Sequence, residues 1–175
     1  MLLITAGATV FGLAALIGFA DNNAILAADD DAKGQAPLIK LLGASKINLQ
    51  QGLAASEQQG QPISGKFEVE EAKLQLSVYT AKDGKFSEVL VDYMNGRVTK
   101  VEPIIERDDL ATAKIQIVAM AKAKTTLKEA VDKTAAQSAN ARMISVVPSM
   151  KDGRAVASIV LLDGEKFKTV QQPLD

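Results

Sequence analysis

Residues 73–91 read KLQLSVYTAKDGKFSEVLV. Apolar side chains occupy every second position of residues 73–80, which is the spacing of a β-strand that buries one face. The Asp83-Gly84 pair that follows is typical of a two-residue hairpin turn, because both positions of that turn need a positive φ. Residues 86–93 then resume the alternation. This stretch therefore predicts an antiparallel hairpin.

Two neighbouring segments extend the hairpin into a meander. Residues 66–71 alternate apolar and charged side chains, so they predict a strand before the hairpin. Asn95-Gly96 predicts a second tight turn after it, and residues 97–102 return as a strand that ends before Pro103. The first half of the chain therefore predicts a four-stranded antiparallel meander.

A helix is predicted immediately before the meander, over residues 48–59. Asn48 suits the N-cap position, and Gln51 three residues later completes a capping box. Gly52 lets the apolar side of the helix lie close to the surface that it packs on. That side carries Leu49, Leu53 and Ser56.

The second half repeats the order of helix and strands. Residues 106–124 predict a helix with Asp108 or Asp109 as its N-cap, and Thr126 with Glu129 forms a capping box for a second helix. The buried face of that second helix follows the i, i+3, i+4, i+7 spacing, with Leu127, Ala130, Val131, Thr134, Ala135 and Ser138.

Alternating strands follow in the second half as they do in the first. They are predicted over residues 142–148, 154–162 and 165–172, with turns at Asp152-Gly153 and Asp163-Gly164. The shared order indicates an internal duplication in which the second copy has lost a turn or a strand. The predicted fold class is α+β, with two tandem modules that each pack a helix on a small antiparallel β-meander, after an N-terminal signal or anchor helix.

The segment from Leu2 to Ala20 is uncharged and apolar all round, which suits a translocon or a bilayer better than a protein core. We expect residues 1–28 to be a cleaved signal peptide, with cleavage after Ala20, Ala27 or Ala28; the alternative is a membrane anchor. Residues 29–43 are predicted to be a tether and lead-in: the tether is disordered over residues 28–40, and a short helix begins at Leu38.

Composition excludes several function classes. The net charge is −1, with 20 basic and 21 acidic residues interspersed, which argues against a nucleic-acid protein and a polybasic membrane-surface protein. The chain has no His and no Cys. Catalytic triads that use His, the common zinc and transition-metal sites, thiolate nucleophiles and disulfides are therefore excluded.

The first half resembles the PepSY family. Residues 47–54, INLQQGLA, are similar to the opening helix of that family, and residues 76–79 and 89–98 are similar to its strands and its Asp-x-x-x-Gly-basic-aliphatic turn. In the second half the helix that starts at Thr126 is similar, whereas Asp163-Gly164 is shorter than the family turn. The family occurs in propeptides of thermolysin-type secreted proteases and in exported bacterial proteins.

The resemblance implies a PepSY-like domain 1 at residues 44–103 and, at residues 104–175, a lead-in helix with a degenerate PepSY-like domain 2. It implies a helix packed across a small antiparallel sheet, and it implies inhibition or regulation of a protease outside the cytoplasm. The implied location is periplasmic or secreted.

Several groups of charged residues are candidates for a site. An acid–base pair could come from the carboxylates Glu68, Glu70, Glu71, Asp92 and Glu102, but their positions favour outward faces of strands, where they serve solubility. A calcium site could be formed by Asp29–Asp31, and an anion site by Lys122, Lys124 and Lys128. For both groups a solvated surface is the better interpretation. We therefore predict no catalytic, cofactor-binding or metal-binding residues and no cofactor.

The expected function is that of an exported, non-catalytic binding or regulatory protein that modulates or inhibits an extracytoplasmic protease. Its expected partner is a protein in the periplasm or outside the cell, with no nucleic acid, and with membrane contact only through residues 2–20 if they are not cleaved. The alternative is a membrane-tethered structural or adaptor protein of the cell envelope. A carboxylate-dependent hydrolase is the third hypothesis.

Overall fold

The computed structural model describes residues 32–175. The predicted signal or anchor segment and Asp29–Asp31 lie outside these residues. The described elements, in chain order, are α1 (Ala32–Leu42), α2 (Leu49–Ser56), β1 (Gln61–Glu70), β2 (Lys73–Lys82), β3 (Lys85–Val91), β4 (Val98–Pro103), α3 (Arg107–Lys122), α4 (Leu127–Gln137), β5 (Ala141–Lys151), β6 (Arg154–Asp163) and β7 (Lys166–Pro173).

The seven strands described form one antiparallel sheet in the order β4-β3-β2-β1-β5-β6-β7. The α+β class is confirmed. The halves meet where β1 pairs with β5, through Gly65 opposite Val146 and Lys66 opposite Ser145. The seam between the halves is thus a strand pair at the centre of the sheet, and β4 and β7 are the outer strands.

The helices cover both faces of the sheet. A Cβ added to Gly65 would lie 3.2 Å from Leu53 and 3.5 Å from Leu49, so Gly65 faces α2. Ser64, the preceding residue of β1, points to the other face, because successive side chains alternate. Its hydroxyl lies 3.0 Å from Gln116 Oε1 in α3. α3 therefore crosses the face opposite α2, whereas α4 packs beside α2 and α1 packs on β1 and β2.

One connected core joins both halves. Its fully buried members come from α1, α2, α4, the strands of each half and the segment after β7. The largest are Leu42, Leu49, Leu53, Ile63, Leu76, Leu127, Ile159 and Leu174. Because aliphatic residues supply nearly all of this core, the halves stabilise each other by sharing it.

Both predicted capping boxes are confirmed. The Asn48 side chain accepts a hydrogen bond from the backbone N–H of Gln51 at 2.9 Å, and the Gln51 side chain accepts from the Asn48 N–H at 2.9 Å. Thr126 and Glu129 make the same reciprocal pair at the start of α4. The buried side of α2 is also as predicted, with Leu49, Gly52, Leu53 and Ser56. These local motifs therefore fix where α2 and α4 begin.

Two of the three predicted Asp-Gly hairpin turns are confirmed, whereas the third is shifted by one residue to Gly164 and Glu165, because Asp163 still pairs with Lys166 in the ladder. Asp83 and Gly84 have φ angles of 51° and 74°, and Asp152 and Gly153 have φ angles of 51° and 77°. Aspartate, asparagine and glycine adopt such angles at lower cost than other residues, so the Asp83-Gly84 and Asp152-Gly153 pairs set the strand registers on either side.

Three local predictions are wrong. The disordered tether over residues 28–40 is contradicted from Ala32 onward, because α1 begins there and its leucine and isoleucine side chains pack against the core. The N-cap of α3 is Glu106, without a side-chain cap, rather than Asp108 or Asp109. β1 begins at Gln61, five residues before the predicted start at residue 66, because pairing with β2 extends it through Pro62.

The hairpin between β1 and β2 turns on two residues that do not favour its geometry. Glu71 and Ala72 have φ angles of 48° and 61°, a region that costs about 1 kcal/mol for a residue with a Cβ. We expect Ala72→Gly to relieve this strain. The net rise in the free energy of unfolding should be about 0.5–1 kcal/mol after the extra chain entropy of glycine is subtracted. Thermal unfolding measures this. Ala54→Gly on the exposed side of α2 is the control, and it should lower the free energy of unfolding. A lower free energy of unfolding in both variants would show that the backbone of Ala72 is not strained.

Candidate functional site

The face of the sheet opposite α2 carries a group of polar side chains in the first half. We call this group the polar cluster. Its members come from β1 to β4 and from the first turn of α3: Lys66, Glu68, Gln75, Ser77, Tyr79, Glu88, Glu102 and Asp109. The strand alternation places the strand residues of the cluster on one face, because each lies opposite or diagonal to another member in the ladders of β1 to β4. Asp109 joins them from α3, where its charge interacts with that of Lys66.

Hydrogen bonds join part of the cluster into a chain. Lys66 Nζ lies 2.6 Å from Glu68 Oε2. The Ser77 hydroxyl donates to Glu68 Oε1 at 2.9 Å, and Gln75 Nε2 donates to the Ser77 oxygen at 2.9 Å. Lys66 Nζ also lies 5.9 Å from the centre of the Tyr79 ring, within the range of a cation–π contact. The ammonium of Lys66 is therefore held between one carboxylate and one aromatic face.

Glu88 is the buried acid of the cluster. Its residue is 7% exposed, and within residues 32–175 its Oε1 has no hydrogen-bond partner. Burial raises the pKa of Glu88, and the charge of Glu68 raises it further, whereas the Ser77 hydroxyl and Lys66 oppose the rise. The pKa shift is upward because desolvation disfavours the carboxylate more than its neighbours stabilise it.

The pKa values of two other members of the polar cluster, Tyr79 and Asp109, are shifted in the same direction. Burial raises the pKa of the Tyr79 phenol far above its ordinary value, and the negative charges of Glu88 and Glu68 add to the shift. Burial also raises the pKa of Asp109, with repulsion from Glu106, while Lys66 lowers it. Tyr79 therefore remains a neutral hydrogen-bonding group near neutral pH.

We expect Glu88→Gln to stabilise the fold at pH 8 and to have little effect near pH 4. The pKa of Glu88 is raised above its ordinary value of 4.5 in the folded state, so the folded state binds this proton more tightly than the unfolded state. Stability then falls as the pH rises from the unfolded pKa through the folded one. Removing the charge should recover about 1 kcal/mol at pH 8.

Urea unfolding at both pH values measures this effect. Glu165→Gln, in the exposed turn between β6 and β7, is the control and should show the same stability as the wild type at each pH. A Glu88→Gln variant that is less stable than the wild type at pH 8 would show that the carboxylate of Glu88 is stabilised rather than strained.

The five carboxylates predicted to face solvent have different surroundings, and Glu70 is half-buried at the end of β1, opposite Lys73. Glu68 and Glu102 belong to the polar cluster, and Glu68 is half-buried and hydrogen-bonded there. Glu71 is exposed in the β1–β2 turn. Asp92 accepts hydrogen bonds from the Met94 N–H at 2.7 Å and from Asn95 Nδ2 at 2.8 Å, so it shapes the turn after β3. The solvent-facing interpretation is therefore wrong for Glu68.

The structure does not bring Lys122, Lys124 and Lys128 together as an anion site. Lys128 Nζ binds Asp132 Oδ2 at 2.7 Å, one turn along α4. Lys122 lies exposed in the last turn of α3, and Lys124 follows that helix, with its backbone N–H donating to the carbonyl oxygen of Leu174 at 2.6 Å.

A separate shallow hollow of about 220 Å³ lies beside the β2–β3 turn and is lined by Gln59, Thr80, Lys82, Asp83, Lys85 and Ser87.

Most charges of the polar cluster are paired with one another. In the described part of the chain, no three acidic side chains gather as metal ligands. Glu68 is paired with Lys66, and Glu102 is paired with Lys100. On the same face Glu70 lies opposite Lys73 in the ladder, so most of the carboxylates at the surface of the cluster have a lysine beside them.

Glu88 and Tyr79 are the site residues that sequence reasoning missed. Both lie at polar positions of an alternating strand, which predicts solvent exposure. Only the cross-strand ladder shows that Glu88 lies directly opposite Tyr79 on one side and Glu102 on the other. The signal that could have indicated the Glu88–Glu102 pair is their position relative to the Asn95-Gly96 turn. Glu88 lies seven residues before Asn95, and Glu102 lies six residues after Gly96.

Comparisons with known proteins add no family to these observations: no protein-family model, no curated protein and no solved structure matches the chain. The resemblance to the PepSY family therefore stays a prediction. Of the helices between residues 32 and 175, none combines the length and the apolar character needed to cross a bilayer.

Proposed function

We propose that the chain is an exported, non-catalytic binding protein that regulates an extracytoplasmic protease by accepting an extended segment at a sheet edge. The observation that carries the proposal is the sheet order, because β4 and β7 each pair with a strand on one side only among the described residues. An edge strand has a row of free backbone N–H and C=O groups, which can pair with a strand of a partner.

The rigidity of the sheet supports this mode of binding. The two halves share one core and one central strand pair, so the outer strands are held by five inner strands rather than by a small meander. A partner strand that adds to a rigid edge orders only itself, which lowers the entropic cost of association.

A non-catalytic role is supported by the chemistry of the polar cluster. The chain has no His and no Cys. In the cluster, Glu68 is already engaged by Lys66 and Ser77, and Glu88 is buried. Neither carboxylate is placed to act on a bound substrate, because one is hydrogen-bonded within the protein and the other is shielded from solvent.

We also propose that the sheet derives from two tandem modules. α2 with β1 to β4 and α4 with β5 to β7 repeat the order of a capped helix followed by antiparallel strands. The PepSY resemblance and the apolar run Leu2–Ala20 support export, with a periplasmic or secreted location after cleavage and a membrane-anchored one without it.

Affinity capture followed by an activity assay tests the function. The full chain is used as bait in the envelope and medium of the cells that produce it, and every captured peptidase is assayed with and without the purified chain. We expect one of them to lose most of its activity at a stoichiometric ratio while the chain stays intact. Capture without any change in peptidase activity, or turnover of a substrate by the chain itself, would contradict the proposal.

A further inference from the structure

The outer side of α3 carries apolar side chains in contact with solvent. The residues of α3 that rest on the sheet are buried: Ala113, Gln116, Ala119 and Met120. Ile115 and Val118 are instead 56% and 55% exposed. A helix that packs on one face of a sheet normally has polar side chains on its other side. The outer side of α3 therefore has apolar surface that packing within residues 32–175 does not use.

Five exposed positions of α3 have the spacing of a helix–helix contact. Asp108, Ala111, Ile115, Val118 and Lys122 follow one another at intervals of three, four, three and four residues, and all five are exposed. We call these five residues the outer seam. The intervals are those of the positions at which two helices pack together in a coiled coil. The outer seam therefore suits a second helix, in addition to the sheet on which α3 already rests.

The two ends of the outer seam have opposite charge. Asp108 lies in the first turn of α3 and Lys122 in the last turn, and neither forms an ion pair within residues 32–175. Residues 106–109 carry a net charge of −2, and residues 122–124 carry a net charge of +2. An antiparallel pair of α3 helices brings each acidic end beside a basic end, whereas a parallel pair brings like charges together. The outer seam is therefore complementary to itself in the antiparallel orientation.

One register of such a pair matches both the apolar and the charged residues. With Ile115 opposite Val118 of the other copy, a twofold axis generates two apolar layers at the centre. Lys122 then packs on Ala111 of the other copy. Asp108 of that copy lies one turn farther along the helix, within the reach of a lysine side chain.

The residue that flanks the outer seam selects the same register. Lys114 lies beside the seam, and in this register it faces Ala121 of the other copy. A shift of one heptad, which places Ile115 opposite Ala111, would bring the two Lys114 side chains together. Like charges at flanking positions disfavour a helix pair.

We propose that a second copy of this chain binds to the outer seam, so that two α3 helices pack antiparallel about a twofold axis. Because α3 lies on a face of the sheet, this pairing leaves the β4 and β7 edges of both copies open. The dimer goes beyond the proposed function, since it presents each edge twice. A partner with two suitable segments would then bind with the combined strength of both contacts.

Sedimentation equilibrium of the full chain tests the pair. The wild type should form a dimer whose population rises with concentration, and Val118→Ser should raise the dissociation constant by about tenfold or more, because the pair buries this side chain in both copies. Val101→Ser removes an exposed valine from β4 and is the matched control, which should stay within about twofold of the wild type. A wild type that stays monomeric at every soluble concentration, or equal effects of the two substitutions, would overturn the inference.

Charge reversals test the orientation of the two helices. Asp108→Lys and Lys122→Asp should each weaken the dimer by about tenfold, because each places like charges side by side at both ends of the pair. The double variant exchanges the two charges, so its dissociation constant should return to within about threefold of the wild type. A double variant that binds no more tightly than the single variants would contradict the antiparallel pair.

Cysteine cross-linking gives a second measurement, because the chain has no Cys of its own. Ala111→Cys combined with Lys122→Cys should give disulfide-linked dimers, since these two positions face each other across the pair. Either substitution alone should link poorly, because the helix separates the two copies of one position by about 16 Å. Single variants that link as fast as the double variant would overturn the inference. A monomer that binds phosphatidylcholine vesicles through Val118 would assign the outer seam to a bilayer and overturn the assignment to a second copy.

Discussion

Arg142→Ala is expected to lower the free energy of unfolding by about 3 kcal/mol, because it removes charge-assisted hydrogen bonds to half-buried carbonyl groups. The guanidinium of Arg142, at the start of β5, donates to the carbonyl oxygen of Leu42 at 2.7 Å and to that of Ile47 at 3.1 Å. It also lies 5.4 Å from the centre of the Phe67 ring. Arg142 thus connects the second half to α1 and to the start of α2. Urea unfolding followed by circular dichroism measures the loss.

A second arginine supplies the control for this prediction. Arg154 is exposed and pairs with Asp175 at 2.6 Å, and exposed ion pairs contribute little to stability. Arg154→Ala should therefore change the midpoint of unfolding only slightly. Arg142→Lys should fall between the wild type and Arg142→Ala, because lysine cannot reach both carbonyl groups in the fixed geometry of a guanidinium. Equal losses for Arg142→Ala and Arg154→Ala would contradict the role of Arg142.

We expect Gly52→Val and Leu76→Ala to cost about 3 kcal/mol each, through overpacking in the first variant and a cavity in the second. A Cβ at Gly52 would lie 2.5 Å from Leu76 Cδ2 and 3.1 Å from Leu76 Cγ, and Leu76 is fully buried. In the double variant the valine occupies space that the alanine leaves. The combined loss should therefore fall short of the sum by at least about 1 kcal/mol.

Urea unfolding of the two single variants and the double variant completes this cycle. Ala54→Val, on the exposed side of α2, is the control for placing a β-branched residue in that helix, and it should cost less than about 1 kcal/mol. Strictly additive losses in the cycle would mean that α2 does not rest on β2 at Gly52.

The parts of the fold that short-range chemistry dictates were predictable. Asn48 with Gln51 and Thr126 with Glu129 satisfy the first N–H groups of their own helices, so four residues of sequence suffice to locate each start. Asp83-Gly84 likewise determines a hairpin turn by its own φ preferences. Gly52 was expected to allow close packing, and the short distance to Leu76 shows that it does.

The parts that depend on distant residues were not predictable in this way. Glu71 and Ala72 adopt positive φ angles because nine residue pairs between β1 and β2 hold the hairpin, not because of their own preferences. α1 is helical in spite of Pro37, since its apolar side chains pack on strands that follow it in the chain. The pairing of Gly65 with Val146 joins residues 81 positions apart, and no local pattern indicates it.

The candidate site shows the same limit. Sequence alternation predicted correctly that Glu68 and Glu102 lie on the polar sides of strands. It could not predict that Glu88 is buried, because burial depends on which strands lie beside β3. The raised pKa of Glu88 is therefore a property of the sheet order.

Amide hydrogen exchange of the free full chain tests most directly that both halves form one sheet with two open edges. The structure predicts slow exchange for the ladder amides of β1, β2, β5 and β6, with the seam around Gly65 and Val146 as protected as either half. Alternate amides of β4 and β7 should exchange rapidly, because their outer N–H groups have no partner strand. Rapid exchange at the seam together with two separate protected units would contradict the single sheet, and uniform protection of β4 would contradict an open edge.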